Sequence, residues 1–377
     1  MTLIRGRWTA AAAVVSVAAA SLVAIAPSAG AAPAPNSFAQ TNVIANKASF
    51  HPKKVDPFLK NAWGLAAGPN PLWVSDNNSG VATVYSYIGG AVTKQLQVPV
   101  PGGNPTGQVY NPSASAFLLL AGWPTFFIVA TDSTGNTQSP GQIEAWNDTG
   151  PFIVAAGPKG GPGGKTPAGA VFKGLALATT PKAGPELFAA DVHNARIDVF
   201  NSGFHSLKTP AEFRDKKIPA GYAPFNIQLL GNHLYVTYGL QNKAKTDVVP
   251  GKGRGFVDVY SVNGFLIKHL VSHGALNEPW GLAIAPAGFG PFAGKLLVGN
   301  LGNGWINVYN PTTGAYLGWL KRPNGSPVAI PGLWGLMVGN SQFGGSKSLV
   351  FSAGPNSYNN GIVGVLNPAP PSGGGGW

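Results

Sequence analysis

Acidic side chains are scarce in this sequence, with 13 Asp and Glu against 25 Lys and Arg in 377 residues, so any acid that recurs at one kind of position is worth following. Asp76, Asp132 and Asp191 each close a short apolar run, namely Leu72-Trp73-Val74-Ser75, Phe127-Ile128-Val129-Ala130-Thr131 and Leu187-Phe188-Ala189-Ala190. Asn300 closes a fourth, Leu296-Leu297-Val298-Gly299, and Glu278 stands just before another apolar run at Pro279. Carboxylate and amide oxygens gathered in this way suit a hard divalent cation, one Ca²⁺ or Mg²⁺ ion, with Asp76, Asp132, Asp191 and Glu278 as candidate ligands. The same side chains also cap turns through their own backbone, which explains the recurrence with no ligand at all. Both readings stand on the sequence.

Other chemistry is thinner. His193 follows Asp191 by two residues and is a candidate base. The other histidines lack metal-ligand spacing, and neither a His-Glu-x-x-His nor a Gly-x-Ser-x-Gly pattern occurs. The absence of cysteine excludes thiolate metal sites, disulfides and a Cys nucleophile. Gly157 to Thr166 imitates a phosphate loop but lacks its first glycine and leads into Pro167 and a strand, so no helix N-terminus is at hand. The run Gly239 to Gly255 carries Lys243, Lys245, Lys252 and Arg254 against Asp247 alone and reads as a basic insertion.

The elements that must position these residues are repeats. Trp63-Gly64-Leu65-Ala66 returns as Trp280-Gly281-Leu282-Ala283 and Trp334-Gly335-Leu336-Met337, and more weakly around Gly107, Gly174 and Asn226. The six copies are 43 to 67 residues apart, and each is followed by further β-rich runs separated by Gly, Asn and Pro. Several third runs, such as Ile197-Asp198-Val199-Phe200 and Val257-Asp258-Val259-Tyr260, alternate with period two. Four strands per unit, repeated six times, predict an all-β fold, a six-bladed β-propeller with four-stranded blades. The last unit has only three strands, and Phe38 to Ala45 is expected to close it. Trp63, Trp280 and Trp334 then read as packing between blades rather than as ligand platforms. The loops after second strands and before first strands share one face, which places Asp76, Asp132, Asp191, His193, Glu278, Asn300 and the basic insertion on a single rim.

Composition agrees. Gly (53) and Pro (34) argue against an all-α protein, while 44% hydrophobic residues provide a core. Met1 to Ala31 has Arg5 and Arg7, an apolar run from Thr9 to Ala26 and Ala29-Gly30-Ala31, the form of a secretory signal peptide. Cleavage there lowers the formal charge from +12 to +10 by removing two arginines and no acid. The expected organisation is a signal peptide over 1–31, a propeller over 32–366 and a Pro/Ser/Gly-rich tail over 367–377. The expected product is secreted or periplasmic, in the cell envelope, with no membrane span after cleavage. Scattered cations and export argue against nucleic acid as a partner, and a monomer is expected.

Asn61-Ala62-Trp63-Gly64-Leu65-Ala66, Pro219 to Gln228, Pro279 to Ala283, Ala285 to Gly290 and Gly332 to Leu336 are similar to an uncharacterised bacterial family of exported propeller proteins. The resemblance runs from about Asn42 to Leu366 and implies an NHL-like or lactonase-like propeller, without assigned catalytic residues. Some relatives in that family carry a C-terminal sorting tail, and this chain ends in Gly373-Gly374-Gly375-Gly376-Trp377 instead. Two functions remain in view. One is a binding or scaffold protein that takes an anionic or polyhydroxylated envelope ligand on its rim. The other is a metal-assisted hydrolase, lactonase or lyase in the central funnel.

Overall fold

A computed structural model describes residues 37–369, apart from 69–70, 120–121, 133–140 and 210–211. The expected signal peptide over 1–31 lies outside the described residues, as does the tail beyond Ala369. No helix among the described residues is long and apolar enough to cross a membrane.

Six sheets, antiparallel but for one short outer strand, are arranged as a six-bladed β-propeller, with the two-stranded pair Leu118–Leu119 and Trp123–Pro124 a small addition to it. Their innermost strands are Ala62–Ala66, Pro105–Tyr110, Phe172–Thr180, Tyr222–Leu230, Pro279–Ile284 and Leu333–Val338. Each innermost strand touches the next, and the sixth returns to the first, so the ring is closed. The second strands are buried almost throughout, because each is covered by a blade on either side. The apolar core is divided accordingly: Trp73 of the first blade stacks on Phe127 of the second at 4.2 Å, and comparable clusters fill the other junctions.

Glycine at the repeat centre has a steric reason. A Cβ on Gly64 would lie 2.2 Å from the Thr106 carbonyl oxygen of the next blade, and one on Gly107 would lie 2.4 Å from the Leu175 nitrogen of the blade after that. Only a residue without a side chain permits strands to approach so closely. The fourth blade has Asn226 instead, and its Nδ2 donates to the Trp280 carbonyl at 2.8 Å, joining the same strands by a hydrogen bond.

Closure comes from the N-terminus. Ser37–Ala45 pairs antiparallel with Ile362–Ala369, from Ser37 opposite Ala369 to Ala45 opposite Ile362. That last strand continues three residues past Leu366, into the segment expected to begin the tail. Lys54–Val55 adds a short parallel strand outside it, giving this blade five strands. Phe38 carries the packing, buried with its ring 4.4 Å from that of Phe289.

Candidate functional site at the propeller axis

Of the residues just before the repeat centres, Trp63, Phe225, Trp280 and Trp334 share one buried cluster, Lys173 lies over the Trp63 ring, and Thr106 bonds to the Ala130 and Phe172 carbonyls instead. Trp63 and Trp334 stack with ring centroids 3.6 Å apart. Trp280 meets them edge-on at 6.4 and 5.9 Å, and Phe225 lies 6.0 Å from Trp334. The three indoles therefore pack on one another as well as between blades, because the blades bring equivalent positions together at the centre. Trp334 Nε1 donates to Asn61 Oδ1 at 2.9 Å, whereas the buried Nε1 atoms of Trp63 and Trp280 have no partner.

Lys173 is the charged member of this set. Its ammonium sits 4.9 Å from the centre of the Trp63 ring, 2.9 Å from Asp132 and 3.3 Å from Asp247. Burial opposes its charge, but the two carboxylates outweigh burial and hold its pKa above the ordinary lysine range. Burial pushes the Asp132 carboxyl up, against the pull of Lys173. Asp247 arrives from the basic insertion, and Val248 beside it is buried in the axial tryptophan cluster. The insertion thus folds back over the axis, held also by Gln241 Nε2 donating to the Val192 carbonyl at 2.6 Å. Lys243, Lys245, Lys252 and Arg254 stay exposed on its outer side.

Glu278 is the least settled residue of the group. It stands two residues before Trp280 with φ 51, in the left-handed region. The residues at the same offset in three other blades are Asn61 (φ 49), Asn104 (φ 45) and Gly332 (φ 69), which are types that tolerate this backbone. A glutamate there is strained, and strain of this kind collects at functional positions. The residue is 5% exposed, and its carboxyl makes no hydrogen bond or ion pair among the described residues while keeping a contact with solvent. Burial pushes its pKa up to about 8, the nearby Asp247 charge adds to the rise, and Arg254 opposes it. Glu278 is therefore mainly protonated at neutral pH and is a hydrogen-bond donor without an acceptor.

Asp191, Asn300 and Asp76 hydrogen-bond within their own blades, although Asp76 Oδ1 is buried without a partner. Asp191 accepts from the Val171 and Asn194 backbone N–H groups at 3.0 and 3.2 Å and from Asn194 Nδ2 at 2.6 Å. Asn300 accepts from Asn277 N at 3.2 Å and donates to the Ala275 carbonyl at 2.8 Å. Both fasten turns. Asp76 is wholly buried, accepts from Thr83 Oγ1 at 2.6 Å, and has its pKa pushed well up by burial. His193 keeps a buried Nδ1 without a partner.

Among the described residues, the side chains whose ligand atoms gather closely enough for a metal ion are not those four candidates. They are Asp215, Asp258 and His269 on the fourth blade, with ligand atoms within 4.8 Å of one another. The central channel also differs from an acid-lined funnel. Beyond the tryptophans it forms a cavity of about 460 Å³ walled by Leu65, Val109, Leu177, Ile227, Leu336 and Met337, and among the described residues no carboxylate lines it.

Sequence reasoning passed over Lys173 and Asp247. The repeat alignment held a signal for the first, a lysine in a slot that four of the other five blades fill with an aromatic. Nothing local marked Asp247, whose role depends on the insertion folding back.

No protein-family model matches the chain. Uncharacterized protein L690 of Acanthamoeba polyphaga mimivirus is 30% identical over 344 residues, covering 87% of this chain and 85% of that protein. Uncharacterized protein R648 of the same virus is 28% identical over 337 residues, covering 86% and 79%. Among solved structures, the α-L-arabinanase of Penicillium chrysogenum complexed with arabinobiose superposes with a TM-score of 0.54 at 13% identity, over 87% of this chain and 97% of that one. The soluble aldose sugar dehydrogenase of Escherichia coli gives 0.50 at 11% identity, over 88% and 100%. At such identity the likeness is one of fold.

Proposed function

We propose that this chain, which belongs to the same family as uncharacterized protein L690 of the mimivirus, is an exported binding protein whose ligand site is the axial face around Glu278. One observation carries the reading: a strained, buried, mainly protonated glutamate with no partner, in a position where other blades use Asn or Gly. A protonated carboxyl that no protein group engages is free to donate a hydrogen bond to a ligand oxygen at the axial face. The exposed cations of the insertion stand nearby and favour an anionic, polyhydroxylated ligand. Asp76, Asp191 and Asn300 act as internal fasteners in this reading.

Calorimetric titration of the mature chain with oligogalacturonate, a soluble anionic oligosaccharide, tests the proposal. Glu278→Ala should abolish binding with little loss of stability. Replacing Lys243, Lys245, Lys252 and Arg254 together by Ala should weaken binding and remove its salt dependence, since charges are screened beyond about 8 Å at physiological ionic strength. Absence of binding by the wild type, or binding unchanged in both variants, overturns the reading. Export rests on the first 31 residues, and an intact mass of the secreted product beginning at Ala32 is the expected result.

A further inference from the structure

The fourth blade carries a second group of reactive side chains, separate from the axis. His269 and Ser272 lie on the blade's outermost strand, Leu266–Ser272. Its ladder with Phe256–Ser261 slips between the pairs Val257–Val271 and Asp258–His269, leaving Leu270 unpaired. Such a bulge re-aims side chains. Residues three apart on a regular strand point to opposite faces, yet here Ser272 Oγ is 2.6 Å from His269 Nε2. The other ring nitrogen, Nδ1, is 2.6 Å from Asp215 Oδ2 and 2.8 Å from Asp258 Oδ1. Asp215 comes from the connection that leads into the blade, and Asp258 is wholly buried on the neighbouring strand. With its proton on Nδ1, the ring donates to Asp215 Oδ2, has the Asp258 carboxylate beside it, and leaves Nε2 to accept from the serine hydroxyl.

Ser272 is exposed and lines a cleft of about 670 Å³. The far wall is aromatic, built from Trp305, Tyr309, Tyr316 and Trp319, and Lys252 lines the same cleft. The Trp305 and Trp319 rings are 5.2 Å apart, and the buried Tyr309 hydroxyl and Trp319 Nε1 have no partner. A concave apolar site with a few polar groups at its mouth is the usual setting for small-molecule chemistry.

We propose that Ser272 is a nucleophile activated by His269, and that the fourth blade hydrolyses carboxylic esters bearing a flat aromatic group held in this cleft. The constellation satisfies the geometric relations by which a nucleophile, its base and an orienting carboxylate are recognised on unrelated folds. Ser272 Oγ bonds to the ester carbonyl carbon while its proton passes to His269 Nε2. The carbon–alkoxy bond then breaks, and the alcohol leaves with that proton. Water attacks the acyl-serine, gives a proton to His269 and releases the carboxylic acid, and the proton returns to Ser272. Asp215 and Asp258 are positioning residues that hold the ring and offset its transient charge. The inference does not depend on the axial binding site.

The test treats the full mature chain with a fluorophosphonate probe and follows 1-naphthyl acetate hydrolysis. One probe should add per chain, on Ser272, and Ser272→Ala should lose both labelling and hydrolysis while keeping the wild-type melting curve, because this side chain is exposed. His269→Gln should slow both by about 10²-fold or more, the usual worth of a general base. Asp215→Asn should slow labelling, and Asp215→Glu should restore part of the rate, which a purely structural role does not explain. Trp305→Ala should lower kcat/KM for 1-naphthyl acetate up to about tenfold, in line with the loss of one aromatic contact. No labelling of the folded wild type, or labelling that survives in Ser272→Ala, overturns the proposal. So does a stoichiometric divalent ion that is lost in Asp258→Asn, since it would assign the imidazole to a metal.

Discussion

Asn226 donates its side-chain amide to the Trp280 carbonyl at 2.8 Å, across a junction where other blades rely on glycine. The two solutions are alternatives to one problem, the close approach of innermost strands at the axis. Replacing Asn226 by Ala leaves a buried carbonyl unpaired and should destabilise the protein by about 1–3 kcal/mol. Gly64→Ala should cost about 3 kcal/mol, because the new Cβ would lie 2.2 Å from the Thr106 oxygen and the strands must part. Urea unfolding of both variants measures this, and a neutral Gly64→Ala would refute the steric account.

Lys173 neutralises two acids from different blades. Lys173→Met should therefore destabilise by about 3–5 kcal/mol, the usual consequence of leaving a buried charge unpaired. Adding Asp132→Asn and Asp247→Asn to that variant should recover most of the loss. A triple variant no more stable than Lys173→Met would show that the lysine matters through its packing on Trp63.

Glu278 makes stability depend on pH in a defined direction. Its pKa is about 8 in the fold and about 4.3 in an unfolded chain. Between these values the native state holds a proton that the unfolded state has released, so stability falls as pH rises through the window. Comparing Glu278→Gln with wild type at pH 5, 6.5 and 8 isolates this share of the slope. Glu144, pushed up by burial to about 7, and Asp258, to about 6, leave a residual slope of the same sign in the variant. Parallel wild-type and variant curves would place the Glu278 carboxyl in ordinary solvent.

Phe38 joins the closing strand to the fifth blade through Phe289 and Phe292. Phe38→Ala should cost about 3–5 kcal/mol, as for other buried aromatics. Deleting 38–45 should lower the melting temperature further, by stripping the outer pairing of Ile362–Ala369. An unaltered melting curve for the deletion would contradict closure by this strand.

The architecture was readable because period-two alternation and the Trp-Gly-Leu copies are local signals that recur. Even the residue that breaks the pattern, Asn226, was placed correctly by its neighbours. The axis was harder. Lys173 and Asp247 are 74 residues apart and meet only because the insertion doubles back. Asp191 and Asn300 illustrate the opposite limit: recurrence at strand ends fits turn-fastening and ligand binding equally, and their hydrogen bonds show the fastening. The serine, histidine and aspartate of the fourth blade escaped for a geometric reason. His269 and Ser272 share a side through one unpaired residue, and Asp215 lies 54 positions from His269, so no linear spacing announces the group.

The pairing of Ser37 with Ala369 also has a kinetic consequence. Their hydrogen-bonded contact spans 332 positions, and the chain is made from one end to the other. During synthesis the ring must wait as an open arc until its final strand emerges from the ribosome. Closing so long a loop adds little entropy per extra residue but makes the last step slow and non-local. Once locked, the same contact has to be undone before the first and sixth blades can part. The clasp is therefore a late gate in assembly and an early barrier to disassembly. Proteolytic half-life should follow the lifetime of this clasp when cleavage outpaces its reclosure.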